Sequence, residues 1–573
     1  MRFIKEHFYS ILLIFLLSFF TVVPFFHSGF FPMHDDTQVA RVFEMSKSLS
    51  DGMFPVRWVS DLGYGYGYPI FNFYSPLPYY VGGFFVLLGL DALLATKITF
   101  LLGILGSGIS MYFLSKSLFG KVAGILSALL YAYFPYHAIN IYVRGDLDEV
   151  FSYAFLPLFF LGFFKLSDAI DKNESFKKTL PSIFLQSIAL ALIAISHNLT
   201  FFMLLLFAFL LFVVFLVKTK QRFTFVKYFS LVFVLAFLLS AFYTLPAVFE
   251  AKYTDVFSQV GKGANYLDHF VCPGQLWDSP WGFGGSAKGC IDGLSFKIGK
   301  FNTILLIGSF LIILFSYFVK KSNEKKFYSI IFFLLFFFSV FMTLEYSKFL
   351  WDSIPFAAFL QYPWRFLNFA GLFLSILVGL GFSVLQKHFP KLSIFILFLI
   401  MLRMIIFDAK PFVPQKYILV NDSDYTNSKY LTSSVSKISD EYMPQGFIKP
   451  NVINQTGRDV FEIVSGQGTI SLITDKTTYK KAVILLSQDG FVRLNIAYFP
   501  SWQITADSKN ATYAVEKNIY KIFLSKGRHE LEVRFVETPL EKTANIFSFS
   551  GLIALFIGII SITKRTHYGK KAS

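Results

Sequence analysis

Twelve apolar runs, each long enough to cross roughly 30 Å of hydrocarbon as a helix, constrain this chain more than anything else in it. They fall near 8–26, 93–114, 122–140, 150–165, 180–197, 200–217, 227–246, 301–319, 327–344, 365–385, 391–408 and 544–562. Backbone polar groups in hydrocarbon must be satisfied within the segment, so such runs predict spanning helices. The 76 phenylalanines read as lipid-facing and interhelical filler, and 55% apolar residues exclude an ordinary soluble fold. The net charge of +16 raises the question of nucleic acid. Its lysines lie mostly in short loops between apolar runs, which is the positive-inside pattern instead.

Those basic loops set the orientation. Lys116 and Lys121, the group from Lys165 to Lys178, the group from Lys218 to Lys227, Lys320 to Lys326, Lys387 and Lys391, and the tail Lys564, Arg565, Lys570 and Lys571 all fall on the side of the N-terminus. That side is expected to be cytoplasmic, and an even number of spans puts the C-terminus there too. The first run follows Arg2 and Lys5 without a small-residue cleavage site, so it reads as a retained signal anchor.

Polar chemistry concentrates in the outer loops. The first, 27–91, opens with His34, Asp35 and Asp36, continues with helical spacing at Val39, Val42, Phe43 and Leu49, and passes through Gly63-Tyr64-Gly65-Tyr66-Gly67-Tyr68-Pro69. A further apolar run, Leu77 to Leu90, is too short to span and reads as interfacial or re-entrant. The second holds Arg144-Gly145-Asp146-Leu147-Asp148-Glu149, the third is the turn Ser196-His197-Asn198, and the fifth ends in Pro363-Trp364-Arg365. The fourth, 245–300, carries Glu250, His269 and the only two cysteines, Cys272 and Cys290, 18 residues apart. These are either a disulfide, worth about 3 kcal/mol through restriction of the unfolded chain, or two free thiols; an outer loop favours the bond.

Three parts follow: 1–408 as a membrane domain, 409–543 as a β-sandwich outside the membrane, and 544–573 as a last helix with a basic tail. The middle part rests on period-two alternation in Phe491–Ile496 and Glu530–Phe535, bounded by Asp489-Gly490 and Lys526-Gly527.

The order of these motifs resembles one bacterial family: an Asp-bearing first loop, a Gly-Tyr-Gly segment, Arg-Gly-x-x-x-Glu, an outer Ser-His-Asn, Pro-Trp-Arg before a late span and a terminal β-domain. That family is the multi-pass proteins labelled 6-pyruvoyl-tetrahydropterin synthase-related, close to the YfhO-like membrane proteins, within the GT-C glycosyltransferases. Tyr498 to Trp502 and Ser525 to His529 are similar to its β-domain turns, with Ser501 where a glycine is usual. The zinc histidines of a soluble pterin synthase are not recognisable here. The resemblance implies a GT-C-like membrane fold and inverting transfer of a sugar from a polyprenyl-phosphate donor to a glycan or lipid acceptor on the outer face of the cell membrane. Asp35-Asp36 resembles the acidic pair that opens the first outer loop of related transferases.

Such a transfer needs a base for the acceptor hydroxyl and positive charge for the departing phosphate. Asp35, then Asp36, is the expected base, although either residue also suits the N-cap of the helix that follows. Glu149 is placed with them as catalytic. His34, Arg144, His197, Asn198 and His269 are expected to line the substrate site, and Arg365 and Lys97 to meet phosphate. A divalent metal, Mg or Mn, would be held by His34, Asp35 and Asp36. Arg144 serves equally well as a clamp on Asp146 or Glu149, and Lys97 as a residue reaching for headgroups. Two other functions fit the same loops: a transporter or flippase of a lipid-linked glycan, and a non-catalytic glycan-binding assembly protein.

Overall fold

The computed structural model describes residues 2–259, 264–320, 323–354, 357–450 and 459–568. Lys321, Lys570 and Lys571, used above for orientation, lie outside them. All twelve apolar runs are helical, in three kinds. Among the described residues ten helices are long and apolar enough to cross a membrane: Ala92–Phe119, Leu147–Asp171, Phe176–Ser196, Asn198–Lys218, Arg222–Phe249, Lys300–Phe318, Lys326–Thr343, Pro363–His388, Pro390–Asp408 and Pro539–Ile562. An eleventh is the bent pair Lys121–Ala132 and Pro135–Arg144, broken by 40°. The first run, Glu6–Thr21, is apolar but shorter.

The helix Leu367–His388 is buried on every face from Leu367 to Leu385 and forms the centre of the helical layer. A helix apolar all round belongs in such a place. Close approach is secured by small residues, since a Cβ at Gly381 would lie 2.5 Å from that of Ser309. The bend in the broken pair has a local cause. Pro135 supplies no N–H and forces Phe134 into an extended conformation (φ −62°, ψ 132°), which ends the helix from Lys121 and starts another at an angle.

Within the first loop, the helix Gln38–Ser50 packs on Leu77–Leu87, an 11-residue helix too short to span. Gly82 and Gly83 face Val42 and Met45, with a Cβ at Gly82 only 2.7 Å from the Val42 side chain. The disulfide between Cys272 and Cys290 is formed.

Among the described residues nine strands follow the helical layer: β1 (Phe461–Ser465), β2 (Gly468–Asp475), β3 (Tyr479–Leu486), β4 (Gly490–Ala497), β5 (Trp502–Ala506), β6 (Lys509–Asn510), β7 (Tyr513–Glu516), β8 (Ile519–Leu524) and β9 (Gly527–Phe535). They make two antiparallel sheets, β1-β4-β8-β7 and β2-β3-β9-β5-β6. β3 pairs with β9 from Tyr479↔Arg534 to Leu486↔Gly527 without a break in register. The alternation in β3 and β8 buries Ala482, Ile484 and Leu486 from one sheet and Tyr520, Ile522 and Leu524 from the other. From 409 to 450 the chain is mostly turns and short helices, so among the described residues the strands begin about fifty residues later than the composition change suggests. The last helix lies along Arg222–Phe249, where a Cβ at Gly551 would be 2.9 Å from that of Leu238.

Candidate active site

Two backbone hydrogen bonds pin the first loop to the second: His34 N–H donates to Val143 O at 3.0 Å and Asp35 N–H to Arg144 O at 2.9 Å. Gly145 makes the approach possible. Its φ is +68°, a conformation that side chains disfavour, and a Cβ there would run into Met33. Asp146 then caps the helix beginning at Leu147 by accepting the Glu149 N–H at 3.0 Å. Asp35, half-buried, is thereby held beside the mouth of a spanning helix rather than free in a loop.

Around it the structure gathers an ionic cluster. The buried Arg144 donates to Asp146 Oδ2 at 2.6 Å, to Glu149 Oε2 at 2.8 Å and to Asn140 Oδ1 at 2.5 Å. Glu149 Oε1 also accepts from the Tyr136 hydroxyl at 2.9 Å. The turn between two spans brings His197 to the same place: one ligand atom each from Asp146, Glu149 and His197 lie within 4.8 Å of one another. His197 Nδ1 is engaged by Thr200, whose hydroxyl lies at 2.7 Å, which leaves Nε2 for the carboxylates.

Electrostatics follow from this crowding. Burial raises the Asp35 pKa above its usual range and Asp146 raises it further, against the pull of Arg144, Arg41 and Arg365. Burial is the largest single influence on Asp146 and raises its pKa, but Arg144, His197, Arg365 and the Glu149 N–H together outweigh it, and the pKa is lowered. His197 is lowered to about 4 by burial, against Asp146 and Glu149. Asp36 is raised to about 6 by burial, and its backbone carbonyl accepts the Tyr430 hydroxyl at 2.7 Å.

Arg365 is the other guanidinium here. It is 6% exposed, and its Nε and Nη1 have no hydrogen-bond partner. Its electrostatic influence reaches Asp35, Asp146 and His197. The neighbouring Trp364 stacks on Tyr362 with centroids 4.8 Å apart and receives Arg144 over its other ring contact at 4.9 Å. His269 joins the same wall, 4.8 Å from the Tyr362 ring, with Nδ1 2.8 Å from the Ser286 hydroxyl that also accepts from Trp364 Nε1 at 3.2 Å.

The remaining residues named from sequence lie outside this ring of contacts. His34 turns its Nε2 to Phe283 O at 3.0 Å, fastening the first loop to the disulfide-bearing one. Lys97 Nζ donates to His27 O at 3.0 Å. Asn198 bonds through its N–H to Ser75 Oγ at 3.1 Å and through its amide to Tyr243 at 3.4 Å. The metal-ligand set expected from His34, Asp35 and Asp36 is not what the fold assembles; among the described residues the group close enough to share an ion is Asp146, Glu149 and His197. Adjacent residues in a turn splay apart, whereas a helix cap, the first helical turn and a neighbouring helix end can converge.

Two carboxylates and an imidazole are a credible donor set for a divalent ion. Arg144 occupies one oxygen of each carboxylate, yet each retains lone-pair capacity. His197 Nδ1 accepts the Thr200 N–H at 3.3 Å, which puts the proton of the neutral ring on Nε2. Binding an ion through Nε2 therefore requires the proton on Nδ1 instead, where the Thr200 hydroxyl at 2.7 Å can accept it. Residues that sequence reading left out of the site are Asp146, Asp148, Gln38, Tyr79 and Arg41. Gln38 Nε2 donates to Gly145 O at 2.9 Å, and the Tyr79 hydroxyl lies 2.6 Å from Gln38 Oε1 and 2.7 Å from Asp148 Oδ1. The density of carboxylates in Asp146-Leu147-Asp148-Glu149 was the one local signal for part of this set.

The model of the 6-pyruvoyl-tetrahydropterin synthase related domain, a membrane protein family, matches residues 71–414. The chain belongs to this family. The 6-pyruvoyl-tetrahydropterin synthase related match covers most of the helical layer and, within the site, Arg144, Asp146, Glu149, His197 and Arg365. No curated protein matches the sequence. Among solved structures, the chain is similar to the archaeal oligosaccharyltransferase AglB from Archaeoglobus fulgidus in complex with an inhibitory peptide and a dolichol-phosphate. The identity is 13% and the TM-score 0.48, over 80% of this chain and 62% of that one. A second, the Archaeoglobus fulgidus oligosaccharyltransferase in complex with Zn and sulfate, gives 14% and 0.39 over 79% and 59%. The chain thus spans less than two thirds of either.

Proposed function

We propose that the protein is a GT-C-type membrane glycosyltransferase that moves a sugar from a polyprenyl phosphate to a hydroxyl of a glycan or lipid acceptor at the outer face of the membrane, with inversion at the anomeric carbon. The observation that carries this reading is Arg365: a buried guanidinium with unfilled N–H groups, within electrostatic reach of a carboxylate whose proton affinity is raised. An unpaired buried cation is costly, and an anionic ligand such as a phosphate relieves the cost.

In the proposed reaction Asp35 takes the proton of the acceptor hydroxyl as its oxygen bonds to the anomeric carbon. The bond from that carbon to the phosphate oxygen breaks, and its electron pair leaves with the phosphate. Arg365 neutralises the departing charge. Glu149, bonded through Oε2 to Arg144 and through Oε1 to Tyr136, holds Arg144 in place rather than moving a proton. Asp36 remains the alternative base. A divalent cation on Asp146, Glu149 and His197, in which the imidazole favours Mn over Mg, would add Lewis-acid charge at the phosphate.

The test is transfer of radiolabelled sugar from a panel of polyprenyl-phosphate donors in membranes holding the wild type or Asp35→Asn at matched levels. The expected result is transfer by the wild type and its loss in the variant while the donor still binds. If the wild type consumes no donor, the transferase reading fails and transport of a lipid-linked glycan becomes the better account.

A further inference from the structure

A second cavity, of about 350 Å³, lies between the first loop, the segment 426–432 and the β-domain. Its size is that of a small-molecule site. Phe43, Lys47, Ser60, Asp61 and Tyr66 line it from the first loop, Ser428 and Thr432 from the middle segment, and Asp475, Lys476, Thr477, Lys480 and Asn495 from the β-domain.

Its chemistry is polar, and two of its three lysines are neutralised by neighbouring carboxylates. Lys47 pairs with Asp61 at 2.6 Å, and Lys480 pairs with Asp475. The third lining lysine, Lys476, is exposed, where solvent screens its charge, so the enclosed part of the walls selects only weakly for an ion of either sign. What they present is a dense mixture of hydroxyl, amide and ionic hydrogen-bonding groups beside the aromatic rings of Phe43 and Tyr66. Three of the lining residues, Ser60, Thr477 and Asn495, also carry buried side-chain oxygens that the protein leaves without partners. Native interiors rarely leave such atoms unpaired. Many hydroxyls with apolar ring faces between them is the complementary pattern, and that is a saccharide.

Position adds to composition. The cavity shares two walls with the candidate active site. Gln38, at the start of the helix Gln38–Ser50, touches Gly145 and the Asp35 carbonyl, while Lys47 on the same helix lines the cavity. Nine residues at 1.5 Å each separate the two by about 14 Å. The segment 426–432 likewise reaches both, with Tyr430 on the Asp36 carbonyl and Ser428 at the cavity.

We propose that this cavity binds a neutral oligosaccharide, the distal sugar units of an acceptor glycan whose reacting end lies at Asp35. The proposal rests on the transferase reading for its second half, and on the cavity alone for its first. The acceptor is then a chain of several sugars, and acceptors shorter than the span between Asp35 and Lys47 are used with a higher KM.

The test is direct binding to the full chain in lipid nanodiscs, by saturation-transfer NMR and calorimetry. The probes are tetrasaccharides of glucose, of N-acetylglucosamine and of galacturonate. Saturable binding of at least one neutral tetrasaccharide, with no preference for the uronate, is expected. Ser428 is exposed, so Ser428→Trp fills the entrance without disturbing the core, and it should weaken binding at least tenfold with an unchanged melting temperature. The proposal is overturned if no tetrasaccharide binds saturably, if the uronate is preferred, or if Ser428→Trp has no effect. Because the readout is binding, it remains decisive even where the transfer assay gives no product.

Discussion

Two buried ionic clusters lie on the same side of the helical layer, and they differ in whether their guanidinium is filled. Arg57, in the first loop, is saturated. It donates to Glu537 Oε1 at 3.3 Å, to Asn72 Oδ1 and Phe242 O at 3.0 Å each, and to Asn545 Oδ1 at 2.8 Å. Around it Asn72 bonds Glu541 at 2.8 Å, and Thr538 bonds Glu250 at 2.6 Å. This cluster ties the first loop to two membrane helices, and through Ser501 on Glu541, to the β-domain. The cluster at Asp35 holds one saturated guanidinium, Arg144, and two with partnerless nitrogens, Arg365 at Nε and Nη1 and Arg41 at Nε alone. A closed network can only hold the fold together, whereas an open one has capacity for a ligand.

The comparison is broken most directly by deleting each guanidinium. Arg57→Ala leaves buried carboxylates uncompensated and should cost roughly 3–5 kcal/mol of stability. Arg365→Ala removes a cation with two partnerless nitrogens and should cost less than about 1 kcal/mol. Denaturation of both variants in one detergent measures the difference, and equal losses would erase the distinction.

Function should show the reverse order. A charge-assisted bond to phosphate is worth about 1.5–3 kcal/mol, so Arg365→Ala should weaken polyprenyl-phosphate binding roughly 10- to 100-fold, with partial recovery in Arg365→Lys. Undiminished affinity would remove Arg365 from the phosphate site.

The pH profile sharpens the same point. The proposed base works only when deprotonated, and the Asp35 pKa is raised by burial and Asp146, so activity should fall on acidification at a higher pH than an ordinary carboxylate would give. Arg365 holds that pKa down, so in Arg365→Ala the acid limb of kcat/KM should move to still higher pH. A limb that moves down, or does not move, contradicts the placement of Arg365 beside Asp35.

Legibility from sequence divided along the same line. Span positions were readable because helix length and apolarity are local, and so were the short helix at Leu77 and the disulfide. Asp35, Glu149, His197 and Arg365 were singled out by chemistry at span ends. What could not be read was pairing at long range. Arg57 was passed over because its partners at 72, 242, 537 and 545 share no pattern with it. The bonds of His34 and Lys97 to the backbone carbonyls of Phe283 and His27 are equally invisible, since a carbonyl leaves no trace in the sequence.

The smallest effect tests whether the Arg57 cluster is purely structural. Burial, and then Glu541, raise the Glu250 pKa from 4.5 to about 7. The folded state therefore binds this proton more tightly than the unfolded chain does. Its stabilising contribution is full below about pH 4.5 and is lost as the pH rises through about 7, at most roughly 3 kcal/mol. Glu250→Gln keeps a neutral group of the same shape, so the stability of the variant should lose that slope between pH 5 and 8, and the variant should be the more stable of the two at pH 8. Melting curves at four pH values read this out. A wild type whose stability instead rises across the window would mean that Glu250 is held as a carboxylate by Arg57, and that the cluster depends on its charge and not only on its hydrogen bonds.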